Sequence, residues 1–265
     1  MTKFHLDMGE TVPSLSSVIR LLSEHPDAGD LLFVGDELGP MQLFDGYHSG
    51  IFPMEVNLGG EARVGWFSPV SRGIFRLKET SGSAKSELRL SRSFRKSLVN
   101  FEIRVDSAFS EVVRCCASMR SEGNWISPSY LDHYMKLFEM GMAHSVEAYL
   151  DGNLAGGLFG VAVGGLFSGE SMFYVAPNAS KAAFVGLVSL LDVLNFELID
   201  GQWLTSHLET LGFVECERLS YLLGLSRVTS LRTKKFPPGL HIEKGLWPET
   251  IAKYRRRPES PTQQM

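Results

Sequence analysis

Leu166-Phe167-Ser168-Gly169-Glu170-Ser171-Met172-Phe173, then Asn178-Ala179-Ser180-Lys181, then Leu198-Ile199-Asp200-Gly201-Gln202: these segments decide the fold. The outer two read as strands, and the apolar run from Lys181 to Leu194 between them as a deeply buried helix. Asn178 or Ser180 is expected to cap that helix, and the same helix start is a potential anion or substrate site. Two carboxylates and an amide thus fall at the ends of two strands joined by one helix. A charge beside an apolar strand needs a partner. For Glu170 that partner is either a structural Arg or backbone amide, or a cationic substrate. Asp200 and Gln202, at i and i+2, share one side if the strand continues through them. An Asp after an apolar strand is equally a turn residue.

Working outward, Ser145 to Leu150, the turn Asp151-Gly152-Asn153, Leu154 to Val163, the turn Gly164-Gly165 and Leu166 to Val175 form a meander. Gly156 and Gly157 in its middle strand mark a bulge or the close approach of another backbone. Meander, buried helix and returning strand give an α+β, acyltransferase-like layout. Helices are expected at Met41–Gly50, Phe109–Met119, Tyr130–Met140, Leu204–Leu211 and Leu219–Leu225. Lys78 to Lys85, rich in Ser, Gly and Thr, is the best linker. The expected organisation is a small N-terminal α/β domain over 1–80, a transfer domain over 81–228 and a basic tail over 229–265.

Composition narrows the class. With 265 residues, 44% hydrophobic and 21% charged, the chain has ample material for a core. No run of about 20 apolar residues occurs, and the start lacks a secretory signal. Cys115, Cys116 and Cys216 form no Cys-x-x-Cys pair, so neither a disulfide framework nor a metal site is expected. His144 and His207 lack metal-ligand spacing and read as structural. A soluble cytoplasmic protein, monomeric and without membrane contact, is the expectation.

The net charge of −4 hides a segregation. Lys85, Arg89, Arg92, Arg95, Lys96 and Arg104 face only Glu87 and Glu102 within residues 85–104, and residues 226–265 are also strongly basic. A basic strip on an acidic body suits a partner with a phosphate backbone. Trp66 and Trp125, beside Pro- or Ser-containing loops, are either core or platforms for a nucleobase. Pro177-Asn178-Ala179-Ser180-Lys181 contains no glycine, which argues against an acyl-coenzyme A cofactor; no cofactor is expected.

These residues resemble the leucyl/phenylalanyl-tRNA–protein transferases. The resemblance runs in order through Gly35-Asp36-x-Leu38, Tyr47-x-x-Gly50-Ile51-Phe52-Pro53, Ser91-Arg92-Ser93 and Trp125-Ile126. It continues through Gly141-x-Ala143-His144-Ser145-Val146-Glu147, Gly156-Gly157-Leu158-Phe159-Gly160-Val161 and Gly169-Glu170-Ser171-Met172-Phe173. Asn178-Ala179-Ser180-Lys181, Ile199-Asp200-x-Gln202 and His207-Leu208-x-x-Leu211-Gly212 complete it.

The resemblance implies an acetyltransferase-like (GNAT) C-terminal domain. It also implies transfer of Leu, Phe or sometimes Met from aminoacyl-tRNA to proteins beginning with Arg or Lys, marking them for degradation. Glu170, Asp200 and Gln202 match positions implicated in that chemistry. Trp125 matches an aromatic that holds the tRNA end, and Arg92, Arg95 and Lys96 lie in a segment of tRNA-holding basic residues. On this reading Gln202 positions the attacking amine and Asp200 orients it and helps carry its proton away. Glu170 either meets the acceptor's cationic side chain or holds the Asp200–Gln202 unit. Leu158, Met172 and Phe173 are candidates for the aminoacyl pocket or for the core.

The chain departs from the family at Met54 (usually Trp), Gly201 (usually Cys), Phe67 (usually Trp) and Tyr174 (commonly Ser). The alternatives are a tRNA-binding relative without catalysis and an acyl-coenzyme A-dependent N-acetyltransferase.

Overall fold

The structure, a computed structural model, describes residues 6–7, 11–79, 84–118, 128–237 and 239–242. It is a mixed α+β fold built on two sheets. The chain opens with β1 (Leu6–Asp7), α1 (Leu15–Glu24), β2 (Leu31–Gly35), α2 (Pro40–His48), β3 (Phe52–Leu58) and β4 (Glu61–Phe67). Their strands form a four-stranded sheet in the order β1-β2-β4-β3. Then follow β5 (Ser71–Arg76), α3 (Arg92–Leu98), β6 (Glu102–Val105), α4 (Phe109–Ser118), α5 (Pro128–Glu139), β7 (Ala143–Leu150) and β8 (Asn153–Val163). The last elements are β9 (Leu166–Tyr174), α6 (Ala179–Val193), β10 (Leu198–Trp203), α7 (Ser206–Leu211), β11 (Val214–Glu217), α8 (Arg218–Thr229) and β12 (His241–Ile242). The second sheet has the order β11-β5-β10-β9-β8-β7-β6-β12.

The meander is present as β7, β8 and β9, paired antiparallel in sequence order. β10 returns parallel to β9, as a helical crossover requires. That crossover, α6, is buried on nearly every face between the sheet and α3, because its polar positions are so few. β5 precedes the expected linker yet pairs with β10 and β11, so sheet membership does not change at residue 80. α8 continues to Thr229 and packs on α1. Arg218 at its start donates to the carbonyls of Ala28, Gly29 and Ser68 at 2.7, 2.8 and 3.0 Å, tying the two halves together. Among the described residues no helix is long and apolar enough to cross a membrane.

One expectation changes, and two open alternatives resolve. Asn178 does precede α6, but at φ 72°, and its side chain makes no cap; its amide donates instead to Ser97 Oγ at 3.4 Å. Ser180 is buried within the first turn rather than capping it. Gly156 marks both a close approach and a bulge: a Cβ there would sit 2.6 Å from Ala179 Cβ at the start of α6. The bulge of β8 falls beside it, where Ala148 faces Gly156 and Tyr149 faces Leu154, which leaves Ala155 as an extra residue. Trp66 is fully buried beneath α1 and α8, in the core, and offers no face to a nucleobase.

One core carboxylate has a consequence for stability. Glu147 on β7 is fully buried; it accepts from Ser145 Oγ and, at 3.4 Å, from the Ser107 amide just before α4. Burial pushes its pKa up to about 7, against the lowering effect of those hydrogen bonds. An unfolded Glu titrates near 4.3, so the folded state prefers the proton. The stability this confers is complete below about pH 4 and is lost as pH rises through about 7. Glu147→Gln, which mimics the protonated form, is therefore expected to match wild type near pH 4. At pH 8 it should exceed wild type by roughly 3–4 kcal/mol. Thermal unfolding of both proteins from pH 4 to 9 checks this; parallel Tm curves would refute it.

Candidate functional site

β9 and β10 pair only over Leu166–Ser168 and Leu198–Asp200, and beyond those residues they part. Each strand is irregular where it parts. On β9, Phe159 faces Ser171 and Gly160 faces Gly169, which leaves Glu170 as an extra residue. On β10, the register with β5 shifts between Asp200 and Trp203, and Gln202 takes the left-handed φ of 61°. Such bulges re-aim side chains. The strand therefore does not continue regularly through Asp200 and Gln202, and their side chains take different partners.

Asp200 turns into the protein and is 1% exposed. Arg72 of β5 donates to it through Nε at 3.0 and 3.1 Å and through Nη2 at 2.6 Å. Tyr221 of α8 donates at 2.9 Å, and the Gln202 backbone N–H donates at 2.8 Å. Both carboxylate oxygens are thus fully used as acceptors. Arg72 also donates to the Gly50 carbonyl at 2.8 Å and lies between the rings of Tyr221 and Phe52, 4.2 and 5.3 Å from their centroids. Burial alone would lower its pKa, but the Asp200 carboxylate, with Tyr221 and Cys216, more than offsets this and the value is raised. Burial raises the Tyr221 phenol well above its ordinary value, so it remains a neutral donor.

Glu170, also buried, faces the cavity between the parted strands. Tyr134 of α5 donates to Oε2 at 2.6 Å, and Tyr47 of α2 lies 3.2 Å behind Tyr134, oxygen to oxygen. Gln202 Nε2 donates to Oε1 at 3.1 Å, and Ser168 Oγ lies at 3.4 Å from it. Burial pushes the Glu170 pKa up to about 7; the phenols of Tyr134 and Tyr47 hold it down, and Asp200 adds to the rise. Both phenols are themselves raised well above 10 by burial.

The cavity, of about 370 Å³, is polar at Glu170 and Gln202 and apolar at its other end. Leu158, Phe167, Phe184, Leu187, Ile199 and Phe213 line that end, with Met172 beside them. A chamber of this chemistry accepts an apolar side chain and presents an amide and a carboxyl to whatever group it carries. His207 closes one side with Nε2 3.2 Å from Met172 Sδ; burial and then Lys181 lower its pKa, which favours the neutral ring. Gly201 has a physical reason: a Cβ would stand 2.8 Å from both Leu208 Cδ1 and Phe213 Cε1. Those two side chains fill the space.

Of the residues read from the sequence, Glu170, Asp200, Gln202, Leu158 and Met172 line one cavity. Phe173 does not; it is buried on the opposite face with Phe109, Val112 and Tyr134. Asn178 and Ser180 lie at the start of α6, outside the cavity lining. Arg92 and Lys96 are exposed on α3, and Arg95 is half-buried, donating to the Leu90 carbonyl at 3.1 and 2.9 Å. Met54 lines the cavity at its β3 side, beside Trp203, whose Nε1 donates to Asp30 at 2.8 Å. Trp125 lies outside the described residues. Sequence reasoning missed Arg72, Tyr134 and Tyr221 as partners, and saw Tyr47 only inside a motif. Among the described residues, no three His, Cys, Asp or Glu side chains gather as a metal site.

A family model described as leucyl/phenylalanyl-tRNA protein transferase matches residues 84–226, more than half of the chain. A leucyl/phenylalanyl-tRNA–protein transferase of Nitrosospira multiformis is 46% identical over 204 residues, covering 76% of this chain and 83% of that protein. Those of Sulfurimonas denitrificans and Desulfatibacillum aliphaticivorans are 42% and 41% identical, over 73% and 83% of this chain and 82% and 91% of theirs. Among solved structures, the C-terminal domain of a putative lysylphosphatidylglycerol synthetase from Agrobacterium fabrum is 12% identical, with a TM-score of 0.34. It covers 71% of this chain and 59% of that one, a likeness too loose to assign a fold.

Proposed function

The chain belongs to the leucyl/phenylalanyl-tRNA–protein transferase family, and from that premise we propose that it moves Leu or Phe from aminoacyl-tRNA to the N-terminus of proteins beginning with Arg or Lys. The observation that carries this reading is the Gln202–Glu170 hydrogen bond at the rim of an apolar cavity. The aminoacyl ester is already activated, so the protein has to orient an amine and accept its proton. The aminoacyl side chain enters the apolar end beside Leu158 and Met172. The acceptor's amine meets Gln202 and Glu170 at the polar end. Its nitrogen bonds to the ester carbonyl carbon, the bond to the ribose oxygen breaks, and that oxygen leaves with a proton.

Glu170 suits the proton transfer, because its pKa of about 7 lies close to the ~7.7–8.0 of a free α-amine. Asp200, saturated by Arg72, acts as a positioning residue that holds the Gln202 turn through its backbone N–H. We extend the proposal to the fold: a GNAT-like transfer domain is supported by the meander, the α6 crossover and the parted parallel strands. A small N-terminal domain, with its boundary moved from residue 80 to before β5, belongs to the same reading, as do a monomeric state and a tRNA contact at Arg92, Arg95 and Lys96.

Labelled Phe-tRNA incubated with an Arg-initiated peptide, beside the same peptide acetylated at its N-terminus, tests it. Label is expected on the free peptide alone. Binding of Phe-tRNA without transfer to either peptide would overturn the catalytic reading.

A further inference from the structure

Tyr174 ends β9 and is 59% exposed, an unusual setting for an aromatic ring beside a buried cavity. The β8–β9 register is regular here, with Leu158 opposite Met172, Gly157 opposite Phe173 and Gly156 opposite Tyr174. Met172 and Tyr174 therefore share a face, and Tyr174 stands about 7 Å further out along the strand than the cavity wall. Its cross-strand neighbour is a glycine, so no side chain covers the ring from β8. The start of α6 packs against that glycine on the same face, with Lys181 in its first turn.

Charge continues outward from this point. Lys181 is close enough to His207 at the cavity wall to help lower its pKa. Asn178, between Tyr174 and Lys181 in sequence, reaches Ser97 of α3, the helix that exposes Arg92 and Lys96. An exposed aromatic on the strand face that lines the cavity, followed by Lys181 and linked through Asn178 to the basic helix α3, matches the pattern that holds single-stranded nucleic acid, stacking for the base and cations for the phosphates.

Building on the proposed function, we infer that Tyr174 and Lys181 hold a nucleotide of the single-stranded 3′ end of aminoacyl-tRNA. The tyrosine ring stacks on its base and the lysine meets its phosphate. The contact fixes where the acceptor strand leaves the cavity toward α3.

The test is steady-state transfer by the full chain from Phe-tRNA to an Arg-initiated peptide, comparing wild type with Tyr174→Ala, Tyr174→Phe and Lys181→Ala. Stacking of this kind predicts that Tyr174→Ala raises the KM for Phe-tRNA about tenfold while Tyr174→Phe stays within about twofold of wild type. The KM for the peptide should not move, and the rise with Lys181→Ala should shrink as salt is added. An unchanged KM for Phe-tRNA in Tyr174→Ala, or a rise confined to the peptide, overturns the inference. Absence of transfer by the wild type would instead sink the proposed function.

Discussion

Replacing Arg72 by Met is expected to lower folding stability by about 3–5 kcal/mol, the range seen when one member of a buried ion pair is removed. Arg72 and Asp200 are each 1% exposed, and no described cation other than Arg72 pairs with that carboxylate. Methionine fills much of the volume between Phe52 and Tyr221 but supplies no charge. Tyr221 and the Gln202 amide would remain as donors, which is too little for an ionised group out of water. The pair's net contribution is much smaller than the loss on breaking it, because both charges were desolvated on folding. Arg72→Met combined with Asp200→Asn should therefore recover most of the loss. Urea unfolding of wild type, both single variants and the double variant measures the coupling. Additive single losses, or a loss below about 1 kcal/mol in Arg72→Met, would show that the pair is not what holds this junction.

Glu170→Gln carries the largest expected effect on turnover. If Glu170 accepts the amine's proton, its amide counterpart should transfer Phe about 10²–10⁴-fold more slowly, the usual contribution of a general base. The substitution is isosteric, and Tyr134 can still donate to the amide oxygen, so the fold should persist. The pH profile separates a base from a mere support. In wild type, transfer should rise through about pH 7 as Glu170 loses its proton, together with the rise from the α-amine itself. In Glu170→Gln only the α-amine inflection should remain. A slow variant that keeps both inflections would assign Glu170 to holding Gln202 rather than to proton transfer.

Much of the eight-stranded sheet and its crossover was legible because the signals are local. Turns at Asp151-Gly152 and Gly164-Gly165 announce the meander, and an apolar run too polar-poor for a surface helix announces α6. That Glu170, Asp200 and Gln202 meet also followed from strand ends joined by one crossover. What stayed hidden depends on distance or on backbone detail. Arg72 is 128 residues from Asp200, and nothing in Val70-Ser71-Arg72-Gly73 marks that arginine as buried. Tyr134 and Tyr47 come from two helices that pack together beyond any sequence period. The bulge at Glu170 adds one residue to β9 without changing the apolar pattern, and the irregularity of β10 between Asp200 and Trp203 removes the regular strand on which Asp200 and Gln202 would share a side. Asn178 looked like a cap because its residue type favours one, yet its left-handed backbone turns the amide toward α3.

The left-handed backbone of Gln202 has a bearing on how this protein would drift or be engineered. Glycine adopts that conformation without penalty, whereas a long side chain without a local hydrogen bond to its own backbone does so at a disadvantage. Selection for thermal robustness and selection for turnover consequently pull position 202 in opposite directions. A library screened for heat resistance alone would tend to collect glycine there and shed the amide that meets Glu170. In a lineage released from the need to modify other proteins, position 202 is where the release would be recorded early, well before the packing around α6 decayed.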